Sequence, residues 1–67
     1  MISNADAAIV RSLLRKAQAV SLQLAEDASR MGIPGAKRMR PKDRAQKIKL
    51  IHCYVTVAIR YMVESQS

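Results

Sequence analysis

The chain has 67 residues, 12 of them Lys or Arg against 5 Asp or Glu, for a formal net charge of +7, and 49% are apolar. A chain this short supports one small domain and buries only about 60% of the surface it exposes when unfolded, which excludes an active site set between two lobes. So large an apolar share excludes wholesale disorder and the charge points to an acidic partner, but with only Tyr54 and Tyr61 as aromatics the platforms that stack bases are missing.

The first residues lack a basic n-region and place Asn4 and Asp6 where a signal peptide is apolar, so secretion is not expected. Residues 7–25 resemble an organellar transit peptide in composition, with Arg11, Arg15, Lys16, Ser12, Ser21 and no acid. Removing so large a share would leave too little to fold, and a structural helix is the better reading. Apolar runs are too short to span a bilayer. These features give a cytoplasmic, membrane-free expectation.

Ser3 followed by Asp6 reads as a capping box, with Ser3 or Asn4 accepting from the first free N–H groups. From there Ile9, Leu13, Ala17, Val20, Leu24, Ala28 and Met31 recur at spacings of three and four, flanked by Val10, Leu14 and Ser21. Gly32 then stops a first helix expected over residues 4–31. The run Gly32-Ile33-Pro34-Gly35-Ala36 is turn material, and the connection extends over 32–41. Pro41 suits the first turn of a second helix over 41–64. Its inner face is expected to be Ala45, Ile48, Ile51, His52, Val55, Ala58, Ile59, Met62 and Val63. The stretch is also rich in β-branched residues, but no turn residue interrupts it, and so long a strand does not suit so small a chain.

Two such helices make an all-α, antiparallel two-helix hairpin. Leu50, Tyr54, Val57 and Tyr61 fall together on a second apolar face of the second helix. That face is the expected contact of a homodimer, two hairpins forming a four-helix bundle. The alternative is that the first helix covers it.

Charge is concentrated. Residues 37–49 carry Lys37, Arg38, Arg40, Lys42, Arg44, Lys47 and Lys49 against Asp43 alone, while the rest is close to neutral. Cations at a helix start oppose the macrodipole, so their retention there points to a partner rather than to folding. Arg, Lys and free backbone N–H groups suit phosphate oxygens, which makes these seven residues the candidate site for a nucleic-acid backbone or an acidic protein surface. A purely solubilising patch is the bland alternative.

Residues 24–41 resemble a helix-turn-helix in Leu24, Ala28, Gly32 and Ile33, but Arg38 and Pro41 stand where its recognition helix needs inward apolar residues. Backbone contact is therefore expected in place of base readout. His52 and Cys53 are neighbours on a helix, about 100° apart, and cannot meet as base and nucleophile. Lys49 and Arg60 lie at helical spacing from Cys53, but a small inert thiol is the simpler reading. One Cys and one His with scattered carboxylates assemble neither a disulfide nor a zinc site. Leu22 points away from Leu13 among Arg11, Arg15, Gln18 and Glu26 and marks a candidate second partner face. No paired carboxylates, phosphate loop or catalytic triad is present. The sequence thus predicts a small non-enzymatic regulatory or accessory protein without cofactor or small-molecule substrate. It binds nucleic acid or, alternatively, docks as a modulator on a larger protein; a purely structural assembly subunit is the third class.

Overall fold

A computed structural model describes residues 3–66. Two helices of 26 residues each account for most of them: α1, Asn4–Ser29, and α2, Pro41–Gln66. They pack against each other as a hairpin measuring 52 × 17 × 13 Å.

The start of α1 follows from its cap. The Ser3 hydroxyl accepts from the Asp6 N–H at 3.1 Å, and the Ser3 carbonyl accepts from the Ala7 N–H at 2.8 Å. Asp6 also lies at the positive end of the helix dipole. The helix ends two residues before the sequence suggests. Arg30 is its C-cap, and tighter three-residue turns take over as Arg30 and Met31 N–H donate to Asp27 and Ala28 carbonyls at 3.1 Å. Ile33 N–H then donates to the Arg30 carbonyl and Ala36 N–H to the Ile33 carbonyl, both at 3.2 Å. Each of these two turns has a glycine third, Gly32 at φ +77° and Gly35 at φ +76°, where an L side chain would be strained. Pro34 precedes Gly35 in the second turn, the residue order of a type II turn. Pro41 occupies the first turn of α2, as its missing N–H allows, and the helix continues to Gln66.

The two ends of the hairpin fix its register. Asp27 is bonded to Arg44 beside the connection, and Ser65 Oγ donates to Asp6 Oδ2 at 3.2 Å at the far end. Between these anchors α1 contributes Val10, Leu13, Ala17, Val20 and Leu24, and α2 contributes Lys47, Ile51, Tyr54, Ala58 and Tyr61, none of them exposed. Both series alternate steps of three and four, the seam of an antiparallel coiled coil. The register sets Ala17 opposite Tyr54 and Ala58, 0% exposed, opposite Leu13. A small residue facing a large one lets the helices approach closely.

The middle of the expected α1 stripe is thus correct and its ends are rotated. Val10 is buried where Ile9 was expected, and Asp27 where Ala28 was, while Met31 lies beyond the helix and is exposed. The expected inner face of α2 needs a larger correction. Ile48, His52, Ile59, Met62 and Val63 are exposed, and Ala45 too; only Ile51, Val55 and Ala58 of that set are sheltered. The seam runs one residue earlier, through Arg44, Lys47, Tyr54, Tyr61 and Ser65. This rotation brings Arg44 and Lys47 to Asp27 and Gln23 and sets Ser65 beside Asp6, polar contacts that a count of apolar residues does not register.

Candidate functional site

The hinge end is organised around one carboxylate. Asp27, 4% exposed at the last turn of α1, continues the seam series at the step after Leu24. Arg38 reaches back across the connection and grips it bidentately, Nε to Oδ1 and Nη2 to Oδ2, each at 3.0 Å. The Met39 backbone N–H donates to Oδ1 at 2.6 Å, and Arg44 Nε donates to Oδ2 at 3.3 Å from the first turns of α2. Arg44 also donates through Nη2 to the Met39 carbonyl at 3.2 Å, which ties the loop to the helix that follows it. The Arg38 pair and the Met39 N–H together hold the Asp27 carboxyl well below the usual carboxylate range, against the opposing effect of burial. The same pair raises the pKa of the Arg38 guanidinium.

This clasp divides the seven basic residues. Arg38 and Arg44 face Asp27, and Lys47 Nζ donates to Gln23 Oε1 of α1 at 2.7 Å. Lys37, Arg40, Lys42 and Lys49 are exposed and make no ion pair among the described residues. Arg30, which lies before the basic segment in sequence, joins them. It lines, with Lys37, Arg38 and Arg40, a shallow depression of about 410 Å³ whose other rim carries Glu26 and Asp43. Residues 23–50 as a whole carry eight cations against three acids, so most of the excess charge lies at one end of a rod.

Of the remaining sequence candidates, Tyr54 and Tyr61 are half-buried in the seam with α1, Val57 is half-buried beside it, and Leu50 is exposed. Leu22 is 60% exposed on the outer side of α1. Arg11, Arg15 and Lys16 make a smaller basic cluster on α1 around Ser12. His52 and Cys53 are both exposed. Among the described residues no three His, Cys, Asp or Glu side chains are grouped to hold a metal ion, and no helix is long and apolar enough to cross a membrane.

Asp27 and Arg30 escape a reading based on apolar periodicity and on the run from 37 to 49. Asp27 did carry a signal: it is the one acid on the three-and-four series that begins at Val10. Neither a protein-family model, nor a curated protein, nor a solved structure matches this chain.

Proposed function

We propose that the hinge end binds the phosphate backbone of a nucleic acid, and that the protein acts by binding and not by catalysis. The observation that carries this reading is the division of labour at Asp27. One buried carboxylate fixes the connection through Arg38 and Arg44, Lys37 and Arg40 are left exposed with Arg30 around one depression that Glu26 and Asp43 also border, and Lys42 is exposed just beyond it. Such cations neutralise phosphates and release condensed counterions without reading bases. Pro41 and the free N–H groups of the first α2 turn add a positive dipole end at the same place.

Salt-titrated binding to generic duplex DNA and RNA tests the reading. The wild type is expected to bind at low salt with affinity falling steeply as salt rises. Replacing Lys37, Arg40 and Lys42 together by Gln is expected to reduce the slope of log K against log salt by about 2–3, with helicity unchanged. Absence of binding at about 50 mM salt would overturn the proposal. A second reading, docking on the surface of a larger protein, is favoured by Leu22, whose exposed side chain sits with Ala8 and Ala19 on a face α2 does not reach.

A further inference from the structure

The hairpin exposes 5434 Å². A compact protein of 7.5 kDa exposes about 4,250 Å² by the usual size scaling. The surplus, about 1,200 Å², exceeds the roughly 800 Å² that each partner of a standard stable interface removes from water. The core explains the surplus: among the described residues Val10, Ala17 and Ala58 are the buried apolar ones, and no large side chain is fully enclosed. Chains of this size usually need a further stabilising device, and oligomerisation is one.

Ile9, Leu22, Met31, Ile33, Leu50 and Val63 are exposed at separate places, but the rest of the uncovered apolar surface is gathered on one side of the hairpin. Ile48, His52, half-buried Val55, Ile59 and Met62 each follow a seam position by one residue, so they form a second stripe, apolar but for His52, about 100° round α2. Ile48 is 55% and Ile59 49% exposed. On α1, exposed Leu14 also follows a seam residue, and in an antiparallel pair these flanks lie on the same side of the hairpin. Residues 50–59 contain no Lys, Arg, Asp or Glu.

The stripe is self-complementary. Reversed about Val55, Ile48 falls on Met62 and His52 close to Ile59, as a two-fold axis across α2 requires. Charge fixes the sense. A parallel arrangement would set two strongly basic hinge ends side by side, whereas an antiparallel one lays each along the near-neutral open end, where Arg11 and Arg60 are offset by Asp6 and Glu64.

We propose that a second copy of this chain covers the Ile48–Met62 stripe as an antiparallel two-fold dimer centred on Val55, which carries its two basic hinges at opposite ends. Lys42 lies 13 positions from Val55 in the sequence. At 1.5 Å per residue the two hinges stand about 40 Å apart. One turn of B-DNA is about 34–36 Å, so both ends meet phosphates on one face of a duplex. This last consequence rests on the phosphate-binding reading; the dimer does not.

Sedimentation equilibrium on the full chain at micromolar concentration is expected to give twice the 7.5 kDa chain mass. Ile59→Glu is expected to keep its helicity and raise the dimer dissociation constant at least about 30-fold. A single-chain mass for the wild type, or an undiminished dimer in Ile59→Glu, overturns the proposal. Orientation is read independently by spin labels on Lys42→Cys in a Cys53→Ser background. A separation near 40 Å is expected, and one below about 20 Å overturns the antiparallel sense. The bridging consequence is tested with duplexes of about 8 and about 20 base pairs, the longer expected to bind more than tenfold tighter per site. An intact dimer that ignores both duplexes sinks the phosphate reading alone, and binding by a chain that stays single sinks the dimer alone.

Discussion

Both ends of the helical seam place an acid of α1 against a polar residue of α2, yet they are held very differently. At the open end Asp6 Oδ2 lies 3.2 Å from Ser65 Oγ, and it competes for the single Ser65 hydroxyl proton with the Tyr61 carbonyl of the same helix, 2.7 Å away. At the hinge end Asp27 is buried and receives two bonds from Arg38, one from the Met39 N–H and one from Arg44. Three of those four donors belong to the connection itself. A carboxylate at the end of a seam becomes a strong fixture when the loop folds back to surround it, because burial then strengthens each charge-assisted bond and leaves no lone pair unpaired.

The largest effect should come from removing that carboxylate. Asp27→Ala leaves two inward guanidinium groups and a backbone N–H without their acceptor, and is expected to lower Tm by about 15–20 °C in a thermal melt. An equal loss from Asp6→Ala would erase the contrast between the ends. Acid should weaken the same clasp. Asp27 has a folded pKa below its ordinary value of 3.8, so its contribution is complete above about pH 5 and declines as pH falls below 4 toward the folded value. The difference in Tm between wild type and Asp27→Asn is therefore expected to be constant from pH 7 to 5 and to shrink below 4.

The seam between the ends should tolerate less crowding than either terminus. Ala58→Leu forces a large side chain into a fully enclosed position facing Leu13, and is expected to cost about 1–3 kcal/mol in urea unfolding. Ser3→Ala, which removes the α1 cap, should cost about 1 kcal/mol. Ser65→Ala should be the mildest, at about 0.5 kcal/mol or less, since its bond to Asp6 is long and borders solvent. A Ser65 effect as large as that of Ala58→Leu would show that the open end is as firmly fixed as the hinge.

Local signals in the sequence translated directly into structure where one residue type decides the matter. Ser3 caps, the glycines at 32 and 35 take positive φ, Pro41 opens α2, and Leu13, Ala17, Val20 and Leu24 form the middle of the α1 seam. The rotation of α2 was less legible. Two stripes one residue apart compete, Ile51, Tyr54, Ala58 and Tyr61 on one and Ile48, Val55, Ile59 and Met62 on the other, and apolar counting favours the one without Arg44, Lys47 and Ser65. Polar contacts to Asp27, Gln23 and Asp6 choose the other. The site shows the same limit. The basic segment was visible as a charge run, but a run does not say which of its members turn inward, and that depends on an acid ten residues before the segment begins.

On the phosphate-binding proposal, the clasp at Asp27 also bears on how tightly the basic end would hold its partner. A glycine-containing loop of cations would ordinarily be mobile, and freezing it on binding would reduce affinity. Here Arg38, Met39 and Arg44 are already fastened to Asp27. The backbone carrying Lys37, Arg40 and Lys42 is thus ordered during folding, and association costs little beyond the rotamers of three long side chains. Loosening Asp27 would act as a change in preorganisation, weakening capture even though the protein's exposed cations are untouched.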